Sequence, residues 1–593
     1  MTVQQRLRTV FLERGGMIVL AILVFYICVA PPYIVDGDNA ELATLGTVGG
    51  VAHPSGYPLY LLWLRVMSWL PAQSPAHAAA IATAILGAAQ MWVLHAACRA
   101  WGARALAATI AVGLFAAGPV VMRMQVQAEV FALNGLIAAC VLWIAADRGP
   151  LRGLRRAAVL GLIAGLGFSN HLSCVLIAPI GILGVVRGVR EAAMRRIAVV
   201  AIAIAAFTMG LLPYAYLLVT RETLISWGHI DSLGSLYRHV IRADYGTFRG
   251  GFGGGDDVSV GRTLFALLVS LGRSFLWLPF VAGVGALGYR IARPGDGEPR
   301  WGYLALLASF VVAGPLFLVK FNSVPSGIGL YIVRRFHILP VLLFVIPVAV
   351  GIDHVWGAIS SRARHDLLRS VFVGSVLATF GFITVAMTSL PDLARVHTRA
   401  VENGVKNLLR TLPPDAVVLV TADEYALGTG YVQDALGERP DVSVVIWPEY
   451  GLVPYRMRVN RRLGLVITAT TERGAAGEFI DQVFAKNRPL FIDGYQLLIA
   501  KLYPTYPFGL LFRVLPKGSA MPSIEEVFAI NKQLFGEFDL AYPRPDADGE
   551  IATKFHTLYA RVWTTLAEGL HAKGNREDAA YAIEMAKALA PEP

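Results

Sequence analysis

Residues 36–63 read DGDNAELATLGTVGGVAHPSGYPLYLLW, and the fold turns on what flanks them. Upstream lies a basic segment with Arg6, Arg8 and Arg14, then an apolar run from Met17 to about Val35. Such a pair is either a cleaved leader or a retained anchor. No small-x-small cleavage site follows the run, so a retained anchor is expected. The positive-inside rule keeps the arginines in the cytoplasm and delivers Asp36, Asp38 and Glu41 to the other side. Carboxylates beside hydrocarbon are costly unless they are paired, solvated or used.

The rest of the chain fits that start. Of its 593 residues 55% are hydrophobic and 16% charged, with mean hydropathy +0.56, far more apolar than a water-soluble core requires. The formal net charge of +11 comes from Lys and Arg clustered between apolar runs, which marks cytoplasmic loops and not a nucleic-acid face. All four cysteines (Cys28, Cys98, Cys140, Cys174) fall inside apolar runs, so neither a disulfide framework nor a zinc site is expected.

Basic connections recur at Arg99/Arg104, Arg148–Arg156, Arg187–Arg196, Arg290–Arg300 and Arg362–Arg369. Placing all of them in the cytoplasm requires spans near 76–98, 105–122, 131–147, 157–169, 172–186, 197–219, 261–289, 302–319, 329–351 and 370–390. With the first run this makes about eleven, each near the length that crosses a bilayer. The fold class expected is therefore a polytopic α-helical membrane protein. An odd number of spans puts the C-terminus outside, with connections 36–75, 123–130, 169–171, 220–260 and 320–328 on that same face. The Trp-rich run 58–70, interrupted by Arg65, is expected to lie as an interfacial helix in the membrane plane.

Three parts are expected: a transmembrane unit over 1–390, an extracytoplasmic α/β domain over 391–550, and a helical hairpin over 551–593. Segments 416–421 and 442–447 are short β-branched runs around a helical stretch from Tyr425 to Leu436, which reads as a β–α–β unit. The closing helices resemble a single tetratricopeptide-like pair, and one copy makes no repeat array.

In the first outer loop, Asp38 and Glu41 share one face if the chain turns helical after Asp38. A carboxylate there can deprotonate a hydroxyl or hold a divalent cation that neutralises a phosphate. Asp36-x-Asp38 has the spacing of a metal-binding pair for Mg2+ or Mn2+. The glycine-rich stretch at 249–257 lacks the context of a phosphate loop. No zinc-hydrolase, serine-elbow or dinucleotide fingerprint occurs.

GDNAELATLGTVGGVAHPSGYPLYLLW resembles the first-loop signature of the protein O-mannosyltransferase-like polytopic glycosyltransferases of the GT-C superfamily. QAEVFALN (127–134), GFSNHLSCVLIAPI (167–180), PYAYLLVTRETLISWGH (213–229), HVIRADYG (239–246), RRFHILP (334–340) and LPPDAVVLVTADEYALGTGYVQDALGERPDV (412–442) are similar in the same order. The sequence departs from the signature at Asn39-Ala40, where Ser-Gly is usual, and at Ser55, where a second proline is usual.

The resemblance implies a GT-C-type bundle whose outer face takes sugar from a polyprenyl-phosphate donor, with Asp38 and Glu41 as the acidic pair and one of them the base. A phosphate leaving group needs cations, and Arg334, Arg335, Arg221, Arg238, His239 and Arg242 are candidates. Glu129 and His171 sit on family-like motifs at outer helix ends, and His53 and Tyr57 belong to the first-loop motif. The function expected is transfer of a hexose, mannose foremost, with inversion, to an extracytoplasmic protein, lipid or glycan acceptor. The setting expected is an integral membrane protein, such as one of a bacterial inner membrane, with a cytoplasmic N-terminus. The rival reading is a transporter or flippase of lipid-linked sugars.

Overall fold

The computed structural model describes residues 15–35, 37–221, 223, 225–228, 230–245, 258–293, 297–324, 327–362, 367–469, 472–494, 497–546 and 550–592. The protein is a polytopic helical membrane protein. Among the described residues five helices are long and apolar enough to cross a membrane, Pro75–Ala100, Leu172–Glu191, Arg196–Val219, Arg300–Phe321 and Gly329–Ala358, or up to seven if each of two bent pairs is one span. Shorter apolar helices cover Gly16–Val29, Pro58–Met67 and Phe131–Ala145.

The bent pairs revise the spans expected at 105–122 and 261–289. Ala105–Ala117 and Pro119–Gln125 meet at 74°, and Val260–Phe275 and Trp277–Ala292 at 107°. Both breaks have a proline on their C-terminal side. Pro119 and Pro279 lack the N–H that would continue the ladder, and each ring crowds the carbonyl one turn back. At the second break Leu276 takes φ 60°, and Gly272 leaves room for the Trp277 ring, which a Cβ there would approach to 2.6 Å. Neither run continues as one straight helix.

The segment expected as the first outer loop folds into the helix Asn39–Val48, a turn, and the helix Pro58–Met67. The two helices pack closely because Gly46 lacks a side chain: a Cβ would lie 2.6 Å from Leu64 Cβ. Arg65 donates to the Thr47 carbonyl and ties the pair at its far end.

The tail holds a five-stranded sheet: β1 Val417–Val420, β2 Ser443–Ile446, β3 Leu490–Ile492, β4 Thr505–Phe508 and β5 Leu511–Val514. Its order is β2-β1-β3-β5-β4. β2, β1 and β3 are parallel, and β5 and β4 form an antiparallel hairpin at the edge. β1 is buried throughout, as a central parallel strand covered on both faces must be. Helices Glu550–Ala572 and Arg576–Leu589 close the chain as an antiparallel pair.

The tail is docked on loops of the helical bundle. Glu402 Oε2 accepts from the Ile34 backbone at 2.9 Å, the Tyr33 hydroxyl donates to the His397 carbonyl at 2.8 Å, and the Tyr431 hydroxyl accepts from Ala76 N–H at 3.3 Å. Gly430 permits the closest approach, since a Cβ there would overlap Ile225. Arg458 Nη2 donates to the Ser226 carbonyl at 2.7 Å. The sheet thus sits over the mouth of the helical bundle.

Candidate active site

Gly37 opens the site. Its φ of 65° belongs to the left-handed region, and a Cβ there would overlap the Tyr331 hydroxyl. Glycine alone meets both demands. The chain then turns into the helix Asn39–Val48 with Asp38 at its N-terminal edge, and Glu41, one turn on, points back toward the loop that follows.

Glu41 is almost wholly buried, and both its oxygens are used. Oε1 accepts from the His53 backbone at 2.8 Å, and Oε2 from His53 Nδ1 at 2.6 Å. His53 Nε2 lies 2.7 Å from the Tyr57 hydroxyl and 4.0 Å from Asp38 Oδ2. Burial favours the neutral ring, but Glu41 and then Asp38 outweigh it and hold His53 up to about 9, so it is an imidazolium at neutral pH. Charged, it donates from both nitrogens, to Glu41 and to the Tyr57 oxygen.

Asp38 faces two cations. Arg335 Nη1 donates to its Oδ2 at 2.9 Å. Burial opposes ionisation of Asp38, yet His53 and Arg335 together keep its carboxyl below the usual range. Behind them Glu129, fully buried, lies 3.9 Å from Arg335, and the Arg335 guanidinium rests over the Tyr331 ring at 5.3 Å. Glu129 and Tyr331 therefore aim the arginine.

His171 stacks on Tyr57, with ring centres 5.7 Å apart and 10° between planes. Burial, reinforced by Arg242 and Arg335, pulls it down to about 3. Its Nδ1 accepts from the Ser173 backbone at 3.1 Å, so the neutral ring carries its proton on Nε2.

These groups line one cavity of about 410 Å³, within the range of a small-molecule site. Its walls include Asp38, Glu41, His53 and Tyr57 from the first loop, His171, Trp227, Arg242 and Tyr245, Phe321, Arg335, and Asp423 and Glu449 from the sheet domain. Connections read as outer from charge alone thus converge on one space. Arg335 and Arg242 each present a buried Nε–H with no hydrogen-bond partner among the described residues.

Other expected site residues lie elsewhere. Arg221, Arg334, His239 and Glu129 are not among the residues lining this cavity. Instead of facing ligand, His239 donates from Nε2 to the Ala52 carbonyl at 3.0 Å and props up the first-loop turn. Arg221 is exposed beside Gly49. Arg238 is exposed on the helix Leu233–Val240. Asp36 lies outside the described residues, so the Asp36-x-Asp38 pair has one described member, and that one already meets two cations. Among the described residues no three His, Cys, Asp or Glu side chains converge as a metal site requires.

Residues 38–195 match the N-terminal domain of the protein O-mannosyl-transferase TMEM260 family. The match to that family is confined to this stretch of the helical bundle. That match begins at Asp38 and includes His53, Tyr57, Glu129 and His171. Two relatives extend the likeness beyond that stretch. The chain is 24% identical over 448 residues to the mouse protein O-mannosyl-transferase TMEM260, covering 73% of this chain and 62% of the mouse protein. It is 22% identical over 400 residues to the Dictyostelium discoideum protein O-mannosyl-transferase, covering 61% and 48%. The chain therefore spans about half to three-fifths of these relatives' length. Among solved structures, ArnT from Cupriavidus metallidurans bound to undecaprenyl phosphate superposes with a TM-score of 0.52 at 14% identity, covering 86% of this chain and 99% of ArnT. That likeness is one of fold, and it covers most of the chain.

Sequence reasoning missed Trp227, Tyr245, Asp423 and Glu449. The two carboxylates had a usable signal. Each follows a short β-branched run, and open parallel sheets present ligand groups at the carboxyl ends of their strands.

Proposed function

We propose that the protein is a glycosyltransferase that moves a hexose, mannose foremost, from a polyprenyl-phosphate donor to an acceptor hydroxyl, with inversion at the anomeric carbon. The observation that carries this reading is the pair of cavity arginines, Arg335 and Arg242, with unpartnered Nε–H groups beside a carboxylate held ionised. A cationic pocket next to a base is what displacement of a phosphate by a hydroxyl needs.

In this reading Asp38 takes the acceptor proton as the oxygen attacks the anomeric carbon. The bond from that carbon to the phosphate oxygen breaks, and the negative charge passes to the phosphate. Arg335 and Arg242 meet that charge, with His171 Nε2–H as a neutral donor. Glu41 keeps His53 charged, and His53 holds Tyr57 and biases Asp38 toward its ionised form. Glu41 has no oxygen left for the acceptor, which favours Asp38 as base. The names of the TMEM260 relatives and the polyprenyl phosphate bound to ArnT support the donor and sugar class.

The test is transfer from radiolabelled polyprenyl-phosphate mannose by purified protein in detergent, read as labelled acceptor and free polyprenyl phosphate. The bent helices at 117–119 and 275–277 are a feature that a flippase of lipid-linked sugars would use. Detergent separates the two readings, because chemistry proceeds there and translocation is undefined. No turnover in detergent, with sugar-lipid transport in sealed vesicles, would replace the transferase with the flippase.

A further inference from the structure

The cavity has a wall that the transfer step does not use. β1 and β2 are parallel, so their carboxyl ends face the same way. From those ends Thr421 and Asp423, and Ile446, Pro448 and Glu449, line the cavity. Glu449 Oε2 is buried with no hydrogen-bond partner among the described residues. A buried polar atom left in that state loses free energy unless a ligand completes it. Also on the lining is Trp227, which stacks on Tyr245 at 5.4 Å between centres and 29° between planes. Trp227 is fixed from two sides: its ring N–H donates to Asp244 at 3.2 Å, and its backbone N–H to the Val51 carbonyl at 2.9 Å.

A carboxyl group and an indole on one cavity wall match the two faces of a pyranose, hydroxyls on one side and a patch of C–H groups on the other. We propose that Glu449 and Trp227 form the subsite for the hexosyl group of the lipid-linked donor, with Glu449 hydrogen-bonding a ring hydroxyl. This rests on the donor class argued above and extends it to the sheet domain: Glu449 of the tail and Trp227 of the 220–260 connection supply sugar recognition, and Arg335, Arg242 and Asp38 supply phosphate binding and the base.

The protonation state of Glu449 sharpens the proposal. Burial, and then the charge of Glu41, push its carboxyl up to about 8, with Asp423 adding to the rise and Arg458 and His53 opposing it. Tyr455, also buried, interacts with it electrostatically. At neutral pH Glu449 is thus mainly a neutral acid that can both donate and accept, as a hydroxyl ligand requires.

The experiment measures binding of polyprenyl-phosphate mannose and of bare polyprenyl phosphate to the full chain in detergent. Wild type should prefer the mannosylated lipid. Glu449→Ala should lose about tenfold of that preference, with affinity for the bare lipid unchanged. Glu449→Gln, which keeps a donor and an acceptor, should retain it within about twofold. The wild-type preference should decline as pH rises through about 8, and that of Glu449→Gln should not. A full preference in Glu449→Ala, an equal loss for both lipids, or a Gln variant as weak as Ala overturns the subsite. So does an effect confined to the KM of the acceptor, which would move Glu449 to the other substrate. Wild type that binds neither lipid overturns the donor class instead, a result distinct from all of these.

Discussion

Arg335 Nη1 and Asp38 Oδ2 lie 2.9 Å apart across 297 positions of sequence. The pair joins the first loop to the long helix Gly327–Arg362. It also sets the charge of the proposed base, because a carboxylate beside a guanidinium and an imidazolium stays ionised despite burial.

Asp38→Asn keeps the shape and a hydrogen bond to Arg335 but cannot take a proton. Transfer should fall by about 10²- to 10⁴-fold, the range for loss of a general base, with thermal unfolding and lipid binding near wild type. Near-normal turnover in a folded Asp38→Asn enzyme would remove Asp38 from the chemistry.

Arg335→Lys preserves charge and loses the planar fork, whose Nη1 reaches Asp38 and whose buried Nε–H has no partner among the described residues. Binding of bare polyprenyl phosphate should weaken about tenfold, since lysine does not replace arginine at a forked site. Unchanged affinity in a binding titration would show that the phosphate sits elsewhere.

The Glu41–His53 pair predicts a pH-dependent stability. His53 is raised from 6.5 to about 9, so its contribution is complete below about 6.5 and lost as pH rises through about 9. The unfolding midpoint of wild type should exceed that of Glu41→Gln most at pH 6, and the gap should close above pH 9. A gap that widens with pH would contradict the imidazolium.

Much of this was legible in the sequence, and the remainder was illegible for physical reasons. The side of the membrane on which Asp38, His171 and Arg242 were expected followed from arginine placement, and they line one space. β1 and β2 could be read because Val417–Val420 and Ser443–Ile446 are β-branched and flanked by breakers. β4 and β5 are aromatic, carry Pro507 and Arg513, and draw their stability from pairing at the sheet edge, which no local pattern records. The bends at Pro119 and Pro279 were written in the sequence, and run length masked them. His239 looked like a ligand because a lone histidine gives no sign that a carbonyl, here that of Ala52, already holds it.

Gly430→Val tests the docking of the tail without removing a polar group. Its side chain would overlap Ile225, a stiff β-branched neighbour, at a cost of about 1–3 kcal/mol for overpacking. Transfer should drop with Asp38, Arg335 and His53 all present, and limited proteolysis between the helical bundle and the sheet should speed up. Unaltered transfer would show that the sheet domain is dispensable for turnover.

Chelation bears on the Asp36-x-Asp38 pair. Asp38 already meets Arg335 and His53, so transfer should persist in EDTA. Loss of activity restored by Mn2+ or Mg2+ would assign a metal to that pair.

The roof over the pocket comes from polypeptide that follows the helical bundle in chain order. Asp38 is made early, Arg335 midway and Glu449 late, and the three line one space only when the sheet settles on loops inserted long before. A nascent chain halted ahead of β2 would hold the helical bundle with its carboxylate and guanidinium in place, yet without Glu449 to grip a sugar. On the proposed reading such an intermediate is inert, and competence arrives only once the sheet domain has been made.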